Sequence, residues 1–248
     1  MQTLGDSVKN ELREILGGMV VESEAGCTEC IDGYKVDFSG GLPKVKGECQ
    51  CMALRKTEKL NEWKKAETEK LIQYLLPRYD LRKTNIEPWY EKLRNGSCWL
   101  WGMTGRGKTH GAGWALAYQI SQAVSPFKWG IYKATDLIFA WDHQEDHSDD
   151  MWRHKSRNII DKLEKDDVIH IEEIDKFGNV TDNRWARFFE LFNRIIETGK
   201  TLRVTSQHPI AYFIERMDRE KEVRRRDGVS PQEKRFLEMM KDREIEVK

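Results

Sequence analysis

The sequence lacks any apolar run of the roughly 18 residues that a membrane-spanning helix needs, so an anchor of that kind is not expected. It also lacks a signal-peptide pattern, because the chain begins with the polar stretch MQTLGDSVKNELREI rather than with a basic segment and an apolar core. We therefore expect a cytoplasmic protein with no membrane partner.

A surplus of charge of either sign is missing as well. The 42 basic and 42 acidic side chains cancel, so the net charge gives no support to nucleic-acid binding, and any basic surface must be local. Hydrophobic residues make up 39% of the chain and charged residues 34%, the balance of a soluble globular protein rather than of a disordered one. With 248 residues, the chain is long enough for one sizeable core and a small accessory module.

Cysteine is scarce, and four of the five cysteines stand in two close pairs. Cys27 and Cys30 form CTEC, Cys49 and Cys51 form CQC, and 18 residues separate the pairs, whereas Cys98 stands alone. In a reducing compartment such pairs indicate metal ligands rather than disulfides. Four thiolates suit one closed, structural Zn²⁺ site, which would stabilise a segment too short to bury a core of its own. An iron–sulfur cluster and unliganded thiols are the alternatives.

The order of patterns along the chain predicts three parts. Residues 8–19 carry apolar side chains at helical spacing, and this amphipathic helix either packs on the next module or binds a partner. The charged, helix-favouring stretch 54–76 is typical of a linker helix. We therefore expect an N-terminal helix and zinc module over 1–52, a linker helix and lead-in over 53–95, and the main domain over 96–248.

Strand-like and helical patterns alternate through the main domain. Expected strands cover 98–101, 128–134, 168–171 and 201–206; expected helices cover 109–124, 134–141, 154–165 and 183–199; the charged sequence beyond 206 is expected to be helical. Such alternation predicts an α/β fold in which a parallel sheet is covered by helices on both faces.

The stretch Gly102-x-x-x-x-Gly107-Lys108-Thr109 matches the phosphate-loop (Walker A) pattern and stands between a predicted strand and a predicted helix. Glycines let the backbone turn tightly, so that several N–H groups converge on phosphate oxygens, and the helix N-terminus adds its positive end. Lys108 is expected to reach the β- and γ-phosphates of ATP, and the Thr109 hydroxyl to bind Mg²⁺. The predicted nucleotide-binding residues are Gly102, Thr104, Gly105, Arg106, Gly107, Lys108, Thr109, His110 and Glu172.

Two further polar strand ends complete the predicted site. VIHIEEID ends an apolar strand with Glu172 and Glu173, which we assign to Mg²⁺ and to the attacking water respectively; a solvated acidic cluster is the alternative. TLRVTSQ ends the next strand, and Gln207 there is expected to reach between the two central strands toward the γ-phosphate. This is the sensor position of AAA+ ATPases, so Lys108, Glu173 and Gln207 form the predicted catalytic set.

The ordered set of an amphipathic helix, CxxC…CxC, a charged linker, GMTGRGKTH, IEE and TSQ resembles the DnaC/DnaI family of replicative helicase loaders, AAA+ relatives of the initiator DnaA that are often carried by phages. His110 is similar to the histidine of the family's GKTHL stretch, whereas Gly111 replaces its leucine; Glu172 and Gln207 stand where Asp and Asn are commoner.

The resemblance implies an ATPase that uses hydrolysis as a switch, a hexameric helicase bound through residues 1–52, and single-stranded DNA held by the ATPase domain. It also implies self-association, in which an arginine reaches the γ-phosphate of the neighbouring subunit. FIERMDR places Arg216 and Arg219 best for that role, and Arg224 to Arg226 are further candidates.

Three other functions stay open. A transposition helper similar to IstB, acting on duplex DNA with a transposase, would share the ATPase core, although that class commonly lacks such a zinc module. A P-loop kinase for a small molecule would leave the cysteines unexplained. A zinc-stabilised adaptor with a degenerate nucleotide site is consistent with Glu172 in place of Asp.

Overall fold

The computed structural model describes residues 34–37, 44–75, 89–94, 96–143, 150–177 and 182–213, together with short pieces between 215 and 247. The amphipathic helix predicted over 8–19 lies outside these residues. Within the described ranges, no helix is both long and apolar enough to cross a membrane. The chain forms two compact units, one from segments 1–84 and 117–126 and the other from 85–116 and 127–248.

A β-hairpin and a long charged helix make up most of the described part of the first unit. The strands β1 (Tyr34–Asp37) and β2 (Lys44–Glu48) pair antiparallel, and α1 (Gln50–Leu75) follows at once. The buried residues of α1 are Lys64, Thr68 and Leu71, whose spacing puts them on one face. The Lys64 ammonium donates a 2.8 Å hydrogen bond to the Ser121 carbonyl oxygen, so a cation satisfies an acceptor in the last turn of the helix that ends at Gln122.

Strands and helices alternate through the rest of the described chain. The elements in chain order are α2 (Tyr90–Leu93), β3 (Cys98–Trp101), α3 (Lys108–Gln122), β4 (Trp129–Lys133), α4 (Ala134–His143), α5 (Asp150–Lys165), β5 (Val168–Glu172), a 3₁₀ turn (Ile174–Phe177), α6 (Asp182–Glu197), β6 (Thr201–Ser206) and β7 (Glu244–Glu246). The four predicted strands and the four predicted helices up to β6 are all present, with bounds that differ by a few residues.

Five strands form one parallel sheet in the order β4-β5-β6-β3-β7. β6 pairs with β3 on one side, where Thr205 lies opposite Leu100, and with β5 on the other, where Val204 lies opposite Ile171. Parallel neighbours cannot be joined by a tight turn, so the connections cross over, and from β3 to β6 helices lie between successive strands. The strand order therefore inserts β6 between β3 and β5, although β6 comes last of the three in the sequence.

The side chains of β3 alternate between two apolar layers on opposite faces of the sheet. Trp99 belongs to a large layer with residues of α4, α5 and α6, whereas Cys98 and Leu100 pack with Ala112 and Ala115 of α3. Helices therefore cover both faces of the sheet. The predicted α/β class with a covered parallel sheet is confirmed.

The helix α6 supplies the aromatic part of the larger layer. Its stretch FFELFNRII places Phe188, Phe192 and Ile195 at positions i, i+4 and i+7, and all three are buried. The Phe188 and Phe192 ring centroids lie 3.9 Å apart in an edge-on arrangement, and Phe236 lies 5.3 Å from Phe192. Burying each ring contributes roughly 1.5–3 kcal/mol, so this face is a main source of stability for the sheet.

Two expectations need correction. The sequence beyond 206 is expected to be helical, but Glu244–Glu246 form β7, which pairs in parallel with β3. Ile245 and Val247 are buried while Glu246 is exposed, an alternation of period two that the dense charge of the surrounding sequence obscures. The linker helix expected from residue 54 begins earlier, at Gln50, and so includes Cys51.

A buried hydrogen bond joins β4 to the turn before β5. The Tyr132 hydroxyl donates to Asp166 Oδ2 at 2.5 Å, and both residues are buried. Burial, together with the Asp166 carboxylate, raises the pKa of Tyr132, so the hydroxyl stays protonated. A Cβ at Gly130 would overlap both side chains, so glycine leaves the room that this bond needs.

Replacing Tyr132 with Phe should lower the free energy of unfolding by about 1–3 kcal/mol, because Asp166 would lose a donor inside the protein. Urea denaturation followed by circular dichroism measures the change. Tyr212→Phe is the matched control, since Tyr212 is 38% exposed and its described contacts are made by the ring. Equal stability of the two variants would mean that the Tyr132–Asp166 bond contributes nothing net.

Candidate functional site

The loop between β3 and α3 has the backbone conformation of a phosphate cradle. Gly102, Gly105 and Gly107 have φ angles of 145°, 81° and 83°, which residues with a side chain rarely adopt. A Cβ at Gly102 would also overlap the carbonyl oxygen of Val247, whose N–H donates to the Trp101 carbonyl oxygen at 2.7 Å. A Cβ at Gly105 would meet nothing within 4 Å, so glycine is required there by its φ angle and not by crowding.

Lys108 opens the 15-residue helix α3, whose first N–H groups have no partner within the helix and favour an anion. Its ammonium donates to the carbonyl oxygens of Gly102, at 2.6 Å, and Met103, at 2.9 Å, so the side chain lies back across the loop. Burial lowers the pKa of Lys108, and the Asp175 and Glu173 carboxylates oppose that shift. The Lys108 ammonium is therefore hydrogen-bonded to the loop and interacts electrostatically with the carboxylates that follow β5.

The two glutamates that follow each other at the end of β5 have different surroundings. Glu172 is the last residue of the strand and only 5% exposed, whereas Glu173 is exposed. Among the described residues, Glu173 is the only one besides glycine with a positive φ, at 57°. This left-handed turn takes the chain sharply from the strand into the 3₁₀ turn, so adjacent carboxylates point into separate environments.

Two hydrogen bonds tie the end of β5 to the end of β6. The Glu173 N–H donates to Thr205 Oγ1 at 3.1 Å, and the Gln207 N–H donates to Asp175 Oδ1 at 2.8 Å. Thr205 is buried and lies opposite Leu100 of the strand that leads into the phosphate loop. The three predicted motifs therefore meet at the carboxyl edge of the sheet, where open α/β sheets bind ligands.

The Glu173 carboxylate pairs with a lysine of the turn that follows it. Lys176 Nζ lies 2.8 Å from Glu173 Oε1, and the two side chains are 53% and 47% exposed. The hydrogen bond to Glu173 raises the pKa of Lys176. An ion pair this exposed contributes about 0–1 kcal/mol, so Glu173 can exchange it for another partner at small cost.

Oxygen ligands for Mg²⁺ are available on two elements. Thr109 stands half-buried in the first turn of α3, and Glu172 is buried at the end of β5. Mg²⁺ prefers such hard oxygen ligands, and in phosphate sites it takes one or two protein groups together with phosphate oxygens and water. Thr109 and Glu172 therefore fit the ion as partial ligands. Within the described ranges, no group of three or more His, Cys, Asp or Glu side chains is placed to hold a metal by itself.

The remaining predicted residues divide into two groups. Thr104 and Arg106 are exposed in the loop, and His110 is half-buried in the first turn of α3, where burial lowers its pKa and favours the neutral ring. Outside the described residues lie the candidate trans-acting arginines, Arg216, Arg219 and Arg224 to Arg226, and two cysteines, Cys27 and Cys30. The roles of this second group stay predictions.

The sequence prediction missed three contacts at this edge of the sheet. It assigns the sensor role in TSQ to Gln207 and gives none to Thr205, which accepts from Glu173, or to Asp175, which accepts from Gln207. It also misses Val247, which packs against Gly102. A signal for Thr205 exists, since Leu202 and Val204 lie in the apolar layer and the period of two puts Thr205 on the opposite face.

Among known proteins, the chain is similar to several solved structures. No family model matches the chain, and no curated protein matches it significantly. The chain is similar to DnaA from Aquifex aeolicus bound to AMPPCP, with 17% identity over 64% of this chain and 43% of that chain and a TM-score of 0.41. It is similar to the replication initiator DnaA bound to AMPPCP and single-stranded DNA, with 16% identity over 64% and 43% of the two chains and a TM-score of 0.43.

A third similar structure is a DNA replication initiation factor, with 16% identity over 69% of this chain and 50% of that chain and a TM-score of 0.46. The chain thus spans half or less of the length of these structures. The fold class rests on the molecule itself: the strand order of the parallel sheet and the glycine loop at the end of β3 agree with the predicted AAA+ P-loop fold.

Proposed function

We propose that this chain is an ATPase of the AAA+ kind, which uses ATP binding and hydrolysis as a switch. The observation that carries the proposal is the position of β6 between β3 and β5. The ends of β3, β5 and β6, which lead to Lys108, Glu173 and Gln207, are therefore neighbours, and this supports one shared ligand site. The hydrogen bonds from Glu173 to Thr205 and from Gln207 to Asp175 keep these ends together.

Each residue has a role that its surroundings favour. The loop N–H groups and Lys108 hold the β- and γ-phosphates, and the lysine exchanges its carbonyl acceptors for phosphate oxygens. Thr109 and Glu172 would hold Mg²⁺, which would neutralise phosphate charge. Glu173 directly follows β5, is exposed, and accepts a hydrogen bond from the attacking water. Gln207 contacts the γ-phosphate, and Arg216 or Arg219 completes the site of a neighbouring subunit.

We further propose that this switch loads a hexameric replicative helicase onto single-stranded DNA during replication initiation. Support comes from the resemblance of the ordered motifs to the DnaC/DnaI family. The division of the chain into two compact units is consistent with this, because residues 1–52, which the resemblance assigns to helicase binding, all fall in the first unit. The 42 basic and 42 acidic side chains require that any DNA contact use a local basic surface.

A zinc site within residues 1–52 is the third part of the proposal, and the hairpin supports it. β1 and β2 pair with Tyr34 opposite Glu48, so the chain enters β1 and leaves β2 at the same end of the hairpin. Cys49 follows β2 directly and is buried, and Cys51 stands in the first turn of α1. The first cysteine pair precedes β1 in the sequence. We therefore assign Cys27, Cys30, Cys49 and Cys51 as the four thiolate ligands of one tetrahedral Zn²⁺.

Replacing Glu173 with Gln should lower the turnover of ATP by at least about 100-fold and leave ATP affinity within about twofold, because the amide cannot take up the proton of the attacking water. Phosphate release and ATP titration measure the two quantities. Glu190→Gln, an exposed glutamate on α6, is the matched control. Unchanged turnover in Glu173→Gln would favour the adaptor with a degenerate nucleotide site.

Native mass spectrometry of the full chain with the replicative helicase of its own source tests the loader. We expect several copies bound to one helicase hexamer with ATP, and fewer with ADP. Lys108→Ala should remove the difference between the nucleotides, whereas Lys128→Ala, an exposed lysine before β4, should keep it. Absence of any complex would overturn the loader, and a preference for duplex DNA together with a transposase would favour the IstB-like helper.

Protein purified under reducing conditions should carry about one zinc ion per chain by elemental analysis, and Cys49→Ser should lose it together with the structure of the hairpin. Cys98→Ser is the matched control, because burial raises the pKa of Cys98 to about 11 and makes it a poor metal ligand. Zinc retained by Cys49→Ser, or iron in its place, would contradict the assignment.

A further inference from the structure

One buried charge in the sheet is not used by any part of the proposed site. Arg203, in β6, is 1% exposed. One of its terminal nitrogens donates to the Leu93 carbonyl oxygen at 3.3 Å, and its Nε has no hydrogen-bond partner. In the part of the chain that the structure describes, no carboxylate forms an ion pair with it. Moving a guanidinium out of water without a counter-charge costs stability, so this position calls for an explanation beyond packing.

The two strand neighbours of Arg203 are uncharged. Cys98 lies opposite it on β3 and His170 lies opposite it on β5. Burial, with the nearby charge of Arg203, lowers the pKa of His170 to about 3, and burial raises the pKa of Cys98 to about 11. Both side chains are therefore neutral at physiological pH, and this row across three strands carries a single positive charge.

Arg203 lies on the strand that ends beside the phosphate loop. It precedes Ser206, the last residue of β6, by three positions, so its Cα is about 10 Å from the edge of the sheet at roughly 3.3 Å per residue. Its guanidinium donates to the Leu93 carbonyl oxygen, which precedes β3, so the charge is somewhat farther from that edge than the Cα. Arg203 shares the face of Cys98, which packs with Ala112 of α3, the helix whose N-terminus opens the loop. Between Arg203 and the edge stands buried Thr205 rather than bulk water, so the charge is weakly screened.

We propose that Arg203 is a built-in positive charge that strengthens the binding of a nucleoside polyphosphate at the loop and favours the more highly charged ligand. The inference rests on the proposed nucleotide site and adds a specificity-determining residue that touches no phosphate. A unit charge roughly 10–15 Å from a phosphate charge, at an effective dielectric constant of about 20, corresponds to an effect on affinity of the order of tenfold.

The test compares the wild-type chain with Arg203→Met and Arg203→Gln. Met removes the charge and keeps most of the volume, and Gln removes the charge but keeps a donor for the Leu93 carbonyl oxygen. Calorimetry measures the affinities for Mg²⁺-ATP and Mg²⁺-ADP, and a competition assay measures the affinity for adenosine. Urea unfolding measures the stability of each variant. Arg157→Met, exposed on α5, makes the same change in net charge from the surface and is the matched control.

We expect both Arg203 variants to bind ATP about tenfold more weakly, ADP more weakly by a smaller factor, and adenosine unchanged. We also expect the urea midpoint of Arg203→Met to stay the same or to rise, because an unpaired buried charge is removed. Arg203→Lys should keep most of the ATP affinity, since it keeps the charge, and Arg157→Met should keep all of it.

Other outcomes overturn the inference. Equal losses for ATP, ADP and adenosine would mean that Arg203 only supports the shape of the loop. Unchanged ATP affinity in Arg203→Gln would mean that the charge is offset, for which Glu172 on the same strand face as His170 is the candidate. If Arg203→Met fails to fold, the same comparison of three ligands on Arg203→Gln decides the question. Failure of the wild-type chain to bind ATP would instead remove the proposed function.

Discussion

The site depends on β6 being hydrogen-bonded in parallel to β3 and β5 at the same time. Because all three strands run in one direction, their carboxyl ends open on one edge, and the loop after each strand contributes one part of the chemistry. A shift of β6 by one residue would turn Thr205 to the other face and move Arg203 into the apolar layer of Trp99. The mixed character of β6, apolar on one face and polar on the other, therefore fixes the register.

The polar face of β6 is buried, although the interior of such a sheet is usually apolar. Arg203 and Thr205 alternate with Leu202 and Val204, and all four are buried. Thr205 is satisfied by the Glu173 N–H, which also holds that residue in its left-handed turn. The left-handed conformation of Glu173 is costly in isolation, but the contacts between neighbouring strands stabilise it here. Such strained residues are common where a protein binds ligands.

Most of the sheet could be predicted from the sequence, since CWLW and VIHI are short, mostly apolar runs and TLRVTS alternates apolar and polar residues, each between helical patterns. The phosphate loop could be predicted because its glycines and Lys108 serve a purely local geometry. The contacts of Thr205, Asp175 and Val247 could not, because they depend on which strands become neighbours. β7 was missed for a related reason: three residues in a highly charged stretch form a strand only because β3 offers them an edge.

Burial of polar residues in the strands also depends on which elements become neighbours, so it could not be predicted from the sequence. His170 and Arg203 read as ordinary members of strands in the sequence, and a polar residue within an apolar run is usually solvent-facing in an antiparallel sheet. In a parallel sheet covered on both faces, each is instead enclosed. Their chemical state follows from that enclosure and cannot be read from the residue type.

The pairing of β3 with β7 has a consequence for the order in which the molecule is assembled. Trp101 and Glu246 are register partners, although 145 positions separate them (246 minus 101). During synthesis, the strand that leads to the phosphate loop therefore keeps one edge bare until almost 150 further residues have been made, and Gly102 lacks the Val247 carbonyl against which it packs. A partly synthesised chain would expose a strand edge open to mispairing, and the loop would acquire its final support among the last events of folding.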